Sequence, residues 1–109
     1  MERHPKKAID KMRRIMIPIE IREKMGLSPG DIVTLCKKES TVVLQSGLKK
    51  LRAGCINSRI DEQGRMELPI ELMEDMRWKI YFIVDIYYEG DKRVVFTARA
   101  PARPFRMWV

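Results

Sequence analysis

Basic side chains concentrate near the start of the chain, and their chemistry suits phosphate binding. Arginine can hold a phosphate with two parallel hydrogen bonds and can read guanine edges in the major groove, whereas lysine acts more as a point charge. The pattern favours contact with nucleic acid, and the alternative is a solvated basic surface kept for solubility. Seven basic residues fall within 19 positions: Lys6, Lys7, Lys11, Arg13, Arg14, Arg22 and Lys24.

The charge excess is confined to one half of the chain. Of 109 residues, 22 are Lys or Arg and 15 are Asp or Glu, for a net charge of +7. Residues 1–56 carry 13 basic and 6 acidic side chains, while residues 57–109 carry 9 of each. A cationic half beside a neutral half indicates a negatively charged partner that contacts one side of the protein. Nucleic acid is the first candidate, and acidic protein or lipid is the second.

Other chemistry has little support in the sequence. The one histidine, His4, is expected in a frayed terminus, and Cys36 and Cys55 lack metal-ligand or redox spacing, so they are interpreted as buried or unreactive thiols. Glu20 and Glu71 follow prolines and are expected to complement helix N-termini. The sequence therefore predicts no enzyme, no metal site and no cofactor.

The hydropathy pattern predicts a protein of the cytoplasm, and binding of DNA by the basic half would associate it with the nucleoid. No apolar run approaches the roughly 18–20 residues of a membrane span. The first seven residues also lack the apolar core of a secretory signal.

The chain contains an internal repeat. A shift of 51 positions superposes residues 9–45 on residues 60–96 with eleven identities, where chance gives about two. In the first copy, Pro18 is typical of a helix start and Gly26 of a left-handed helix end. Two short segments, 8–10 and 14–17, suggest a hairpin before this helix, and β-rich segments 32–36 and 41–45 suggest a second hairpin after it. Both copies therefore read β-β-α-β-β.

One copy is too small to bury its apolar face alone. Its partner is either the sister copy in the same chain or a copy in a second chain, and the expected product is a small, intertwined, mainly β barrel. The domain prediction is repeat one with a basic arm at 1–45, a linker at 46–59, a degenerate repeat two at 60–98, and a tail rich in arginine, proline and aromatic residues at 99–109.

Residues 9–31, IDKMRRIMIPIEIREKMGLSPGD, resemble the DNA-binding module of the AbrB/SpoVT/MazE swapped-hairpin family. That module reads D-x-x-G-R, two or three apolar residues, P-x-E-[IL]-R, a short helix, G-[IL] and P-G-D. The second copy is similar over DEQGR at 61–65 and LPIEL at 68–72, then departs from the pattern. Two such copies in tandem also resemble the MraZ arrangement.

The resemblance implies a swapped-hairpin β-barrel and a role as a transcription regulator or antitoxin. The family's DNA-facing positions fall on Lys7, Arg14 and Arg22 in the first copy, and on Ser58, Arg65 and Met73 in the second. Together with the basic cluster, the resemblance gives the predicted DNA-binding set: Lys7, Lys11, Arg13, Arg14, Arg22, Lys24 and Arg65.

Three points stay open at this stage. Arg13 replaces the family's glycine, so it carries about 1 kcal/mol of backbone strain if φ is positive there, or the turn has another shape. Arg14 and Arg65 each lie four residues after an aspartate, so a structural ion pair competes with a DNA-binding role, and the two roles are compatible. Trp78 and the methionines, Met12 among them, are interpreted as core.

The predicted function is a regulator that binds double-stranded DNA through repeat one and forms a homodimer or higher homo-oligomer. The alternative is an antitoxin-like or assembly module whose main partner is a protein bound by the tail, where Phe105 and Trp108 lie. A third interpretation is a scaffold that has lost DNA binding.

Overall fold

The computed structural model describes residues 2–47 and 51–102, which form a mainly β structure with two short helices. The first repeat contains β1 Glu2–Ala8, β2 Arg14–Met16, α1 Ile19–Met25, β3 Ile32–Lys38 and β4 Thr41–Ser46. The second contains β5 Cys55–Arg59, β6 Arg65–Glu67, α2 Ile70–Met76, β7 Ile83–Gly90 and β8 Arg93–Arg99. Each repeat thus has the predicted β-β-α-β-β order.

The two repeats exchange strands within one chain. One sheet has the order β1-β7-β8-β4-β3-β5, and β2 pairs with β6 in a second sheet. In the larger sheet β1 of the first repeat pairs with β7 of the second, and β5 of the second pairs with β3 of the first. Replacing each strand by its equivalent in the other repeat, 51 positions away, gives the same strand order read from the opposite edge of the sheet. In the smaller sheet, Ile15 lies opposite Met66, which is its equivalent in the second repeat. The repeats are therefore related by a pseudo-two-fold axis through that pair.

Local pairing differs from the sequence prediction in three places. The segments 8–10 and 14–17 are joined by a main-chain hydrogen bond from the N–H of Asp10 to the carbonyl of Arg14 (2.9 Å), but they do not pair as the two strands of a hairpin, because β1 pairs with β7 and β2 pairs with β6. β1 extends back to Glu2 and buries His4, so this histidine is not in a frayed terminus. β5 occupies the last five residues of the predicted linker, since it fills the place beside β3 that β1 fills beside β7.

The cysteines form a disulfide, Cys36–Cys55, so the prediction of free thiols is wrong. Both residues lie in strands that pair, and they face each other directly in the register of β3 and β5. Their separation of 19 residues in sequence gave no sign of this, because the pairing joins different repeats.

The core is built from equivalent positions of the two repeats. Fully buried pairs include Ile9 with Ile60 and Val33 with Val84, and each such side chain contributes about 1.5–3 kcal/mol of burial free energy. Trp78 is buried as predicted. Met12 is 55% exposed, contrary to the core interpretation, because it lies in a tight turn that directs its side chain to solvent.

The two repeats have left-handed backbone at the same positions, even where only one of them has glycine. At each of four equivalent positions both copies have positive φ, and only one copy has glycine there. The fold therefore keeps this backbone geometry in the copy whose residue disfavours it. The pairs are Arg13 (63°) with Gly64 (83°), Gly26 (66°) with Arg77 (58°), Gly30 (90°) with Tyr81 (68°), and Glu39 (58°) with Gly90 (93°).

Within the described ranges, no helix is long and apolar enough to cross a membrane.

Candidate nucleic-acid interface

Two equivalent turns, residues 10–14 and 61–65, flank the pseudo-two-fold axis. In the first, Oδ1 of Asp10 accepts hydrogen bonds from the main-chain N–H groups of Met12 (2.9 Å) and Arg14 (2.8 Å), and Oδ2 accepts one from Nε of Arg14 (3.0 Å). In the second, Oδ1 of Asp61 accepts from the N–H groups of Gln63 (2.8 Å) and Arg65 (2.9 Å), and Oδ2 from Nε of Arg65 (3.0 Å). The predicted ion pairs of Arg14 and Arg65 are thus present.

These bonds shift the titration of both aspartates. Burial raises the pKa of the Asp10 carboxyl, but hydrogen bonds from Arg14 and Met12 outweigh burial and bring that pKa below its ordinary value. The same balance, with Arg65 and Gln63 as donors, lowers the pKa of Asp61. Both carboxylates therefore stay charged and fix the arginine beside them.

Each turn is docked on the opposite repeat. The main-chain N–H of Leu68 donates to the carbonyl of Arg13 (2.7 Å), and the N–H of Ile17 donates to the carbonyl of Gly64 (3.0 Å). These equivalent bonds hold the two turns on one face of the molecule, beside the β2–β6 ladder.

An open groove of about 730 Å³ lies along this face and brings four arginines together. The arginines are Arg13, Arg14, Arg59 and Arg65, and the groove also includes the carboxylates Asp61, Glu67 and Glu71, with Asn57, Ser58, Ile60, Pro69 and Ile70 completing its lining. Such a groove offers guanidinium groups beside a partly apolar wall.

Arg14 and Arg65 use only part of their hydrogen-bonding capacity inside the protein. Each donates to its aspartate through Nε, and the two terminal nitrogens of each make no hydrogen bond to any residue in 2–47 or 51–102. Their side chains are 30% and 28% exposed. A planar guanidinium fixed at Nε with its outer nitrogens free is oriented to bind a phosphate oxygen or a base edge.

Arg13 occupies its position at a local cost. Its φ of 63° is left-handed. Of the two alternatives left open by the sequence, backbone strain at Arg13 is therefore the correct one, and the turn keeps its shape. Nη2 of Arg13 donates to Glu67 (2.8 Å), while Nε is buried with no hydrogen-bond partner in the described structure.

Arg22 lies against the opposite turn. Its Nε donates to the carbonyl of Ile17 (2.9 Å), and its guanidinium lies over Gly64, where a Cβ would come within 2.4 Å of Cζ. This arginine therefore joins helix α1 to the second turn. The equivalent residue in α2, Met73, is buried in the core.

The three predicted lysines are not in the groove. Lys11 is exposed on the first turn, and Lys7 is half-buried in β1, where it pairs with Val84. Lys24 donates to Glu2 and lies 5.0 Å from the ring centre of Tyr88. The hydrogen bond with Glu2 raises the pKa of Lys24, and Lys24 is the main cause of the lowered pKa of Glu2.

Arg59 was missed by the sequence prediction. It is exposed at the end of β5 and lines the groove, and its side chain makes no hydrogen bond or ion pair with a described residue. The equivalent residue in the first repeat is Ala8, so neither the repeat nor the family motif marks position 59 as basic. The sequence did show that Arg59 comes directly before Ile60 and Asp61 of the second motif, but it lay in the segment interpreted as linker.

The predictions about a metal site and about the C-terminal tail concern residues outside the groove. Among the described residues, no three His, Cys, Asp or Glu side chains are placed to hold a metal ion. Phe105 and Trp108, the aromatic residues of the tail, lie outside the described residues.

Comparison with known proteins assigns no family. No protein-family model matches the chain. No curated protein matches it either. Among solved structures, the solution structure of PHS018 from Pyrococcus horikoshii is similar at 18% sequence identity over 92% of this chain and 91% of that chain, with a TM-score of 0.49.

Proposed function

We propose that this protein is a DNA-binding transcriptional regulator of the AbrB/SpoVT type, which contacts duplex DNA through the turns and the arginine groove beside the β2–β6 ladder. The observation that carries the proposal is the convergence of Arg13, Arg14, Arg59 and Arg65 on one open groove. Arginine is the side chain best suited to phosphate and guanine recognition. The neighbouring carboxylates are partly neutralised, since Asp61 binds Arg65 and Glu67 binds Arg13.

Arg13 supports the proposal because it conflicts with local stability. Positive φ disfavours a residue with a side chain, and a buried Nε without a partner adds a further cost. Residues that break local rules without an evident structural gain concentrate at functional sites. Its one ion pair, with Glu67, is exposed and worth little.

The proposal includes the swapped-hairpin barrel. The described sheet is an open series with β1 and β5 at its ends. What supports the barrel is the reciprocal pairing of β1 with β7 and of β5 with β3, since each repeat then supplies an outer strand to the other. In such a barrel the β2–β6 ladder would close the gap between the ends of the sheet.

Repeat two supplies most of the groove lining in this proposal, although its helix is poorly suited to DNA. Its helix buries Met73 and carries Glu71, Glu74 and Asp75, which repel phosphate. It contributes Arg59 and Arg65 to the groove and completes the core. A homodimer would present two such grooves and favour a two-fold or direct-repeat site in cytoplasmic, nucleoid DNA.

The first test is duplex-DNA binding by fluorescence anisotropy across a salt series, comparing Arg59→Ala with Lys38→Ala. If four to six phosphates are contacted, log K falls with log salt at a slope of roughly −4 to −5. We expect Arg59→Ala to make the slope shallower by about 1. The Arg59 side chain makes no hydrogen bond or ion pair with a described residue, and alanine keeps the main-chain pairing of Arg59, so the variant should keep the fold.

Lys38→Ala is the matched control because it removes one exposed charge at the far end of β3. Arg59 pairs with Ile32, at the start of that strand, and six residues of strand place Lys38 roughly 20 Å away. Equal losses of DNA affinity in the two variants would show that DNA is attracted by the overall charge of the protein and is not bound in the groove. Absence of binding by the wild type at low salt would contradict DNA binding itself.

A second test separates stability from binding at Arg13. Arg13→Gly should raise the free energy of unfolding by about 0.5–1 kcal/mol, because relief of left-handed strain exceeds the entropy that glycine adds to the unfolded chain. It should also weaken DNA binding. Urea denaturation and anisotropy measure the two effects.

The control for this second test is Arg77→Gly. Arg77 is exposed at the left-handed C-terminal cap of α2, with φ of 58°, and does not line the groove. It should give a similar gain in stability with unchanged DNA affinity. A stabilised Arg13→Gly protein that binds DNA like the wild type would remove Arg13 from the interface.

A further inference from the structure

We propose that the Cys36–Cys55 disulfide regulates the arginine groove, by holding β5 in place when oxidised and releasing it when reduced. This inference rests on the proposed function, because it concerns the same DNA-binding face. It starts from the position of the bond, which joins β3 of the first repeat to β5 of the second.

β5 is both an edge strand and a wall of the groove. It lies at one end of the six-stranded sheet, and in the described structure β3 is its only ladder partner. Asn57, Ser58 and Arg59 all line the groove and follow Cys55 by two to four residues. The position of the disulfide is therefore tied to the position of three groove residues.

The other contacts of β5 are few. Ile56 packs against the core, Thr34 Oγ1 donates to Asn57 Oδ1 (2.8 Å), and the hydroxyl of Ser58 donates to the carbonyl of Glu67 (2.5 Å). The equivalent edge strand, β1, is seven residues long and buries His4, whereas β5 has five residues and none that is fully buried. Elements with few buried apolar contacts open at low free energy, so a crosslink has a large effect on β5.

The disulfide is accessible to a reductant. Both cysteines are only half-buried, and Cys55 lines a surface cavity of about 240 Å³ together with Lys37, Gly54 and Asp75. A dithiol thiolate attacks one sulfur and forms a mixed disulfide, and its second thiol then displaces the protein sulfur. Two electrons and two protons pass from the dithiol to the protein, which leaves two cysteine thiols and an oxidised cyclic reductant.

The experiment compares oxidised protein with protein reduced by dithiothreitol, using amide hydrogen exchange at residues 55–59 and anisotropy with a mixed-sequence duplex. Reduction should speed exchange in β5. If β5 stays docked in a third to a tenth of the reduced molecules, the Kd for DNA rises about 3- to 10-fold. Circular dichroism checks that the rest of the fold persists.

Cys36→Ser/Cys55→Ser is the control for other effects of the reductant. It should match the reduced wild type without dithiothreitol and should not respond to it. Should this variant fail to fold, the wild-type comparison still decides the result. Equal DNA affinity in both redox states, or unchanged exchange in β5, overturns the redox inference alone. Absence of DNA binding in both states overturns the proposed function, and the exchange data then report separately on β5.

Discussion

Asp61→Ala should lower the free energy of unfolding by about 2–4 kcal/mol, because it removes the acceptor of three hydrogen bonds, one of them from a guanidinium. Asp61 binds the main-chain N–H groups of Gln63 and Arg65 and Nε of Arg65. Without it, those donors lose their partner, and the turn loses the group that shapes it. Urea denaturation followed by fluorescence measures the change.

Glu62→Ala is the matched control for this prediction. Glu62 is the next residue, is exposed, and has no side-chain hydrogen bond or ion pair with a described residue, so its replacement should stay within about 0.5 kcal/mol of the wild type. Asp10→Ala should resemble Asp61→Ala, because the first turn has the same bonds. A loss of less than about 0.5 kcal/mol for both aspartate variants would show that the turns do not depend on these carboxylates.

The effect of Asp61→Ala should depend on pH. The pKa of Asp61 is lower in the folded protein than its ordinary value, which is about 3.9. The carboxylate therefore contributes fully above about pH 4–5, and its contribution is lost as the pH falls through the folded pKa. The gap in stability between wild type and Asp61→Ala should accordingly be wide at neutral pH and narrow in acid. A gap that widens in acid would contradict this assignment.

The repeat made much of this fold predictable. Once residues 9–45 align with 60–96, equivalent apolar positions such as Ile9 and Ile60 identify the core. The element order follows from the same alignment. The alignment does not say which strand pairs with which. β1 pairs with β7, about 80 residues away, although the nearby segment 14–17 has a similar composition and suggested a local hairpin.

The candidate site was only partly predictable for the same reason. Arg14 and Arg65 occupy equivalent positions of the two repeats that match the family motif, and Arg13 belongs to the basic cluster, so the sequence was enough to select all three. Arg59 and the disulfide depend on β5, whose pairing with β3 joins segments that sequence proximity does not connect. Lys24 shows a different limit, since its charge suggested a DNA contact while in the fold this helix residue is paired with Glu2 on β1. Charge is visible in a sequence, whereas the neighbour that neutralises it is fixed by topology.

Gly64→Ala should destabilise the protein by about 2–3 kcal/mol, through two separate effects. The backbone at Gly64 has φ of 83°, which costs an alanine about 1 kcal/mol after allowance for the unfolded chain. The new methyl would also meet Arg22, whose Cζ lies 2.4 Å from the ideal Cβ position. Arg22 must then move, and the hydrogen bond from its Nε to the buried Ile17 carbonyl is lost, for about 1–2 kcal/mol.

A double-mutant cycle with Arg22→Ala separates these two effects. Arg22→Ala alone loses the bond to Ile17, and adding Gly64→Ala to it then introduces only backbone strain, because the clashing guanidinium is gone. The double variant should therefore be more stable than the sum of the single losses predicts, by about 1–2 kcal/mol, which is the contribution of the Arg22–Ile17 hydrogen bond that both single variants lose. Additive losses would mean that Arg22 yields to the methyl without cost. In that case the second turn would accept a side chain as the first accepts Arg13, and the glycine at 64 would reflect only the left-handed backbone.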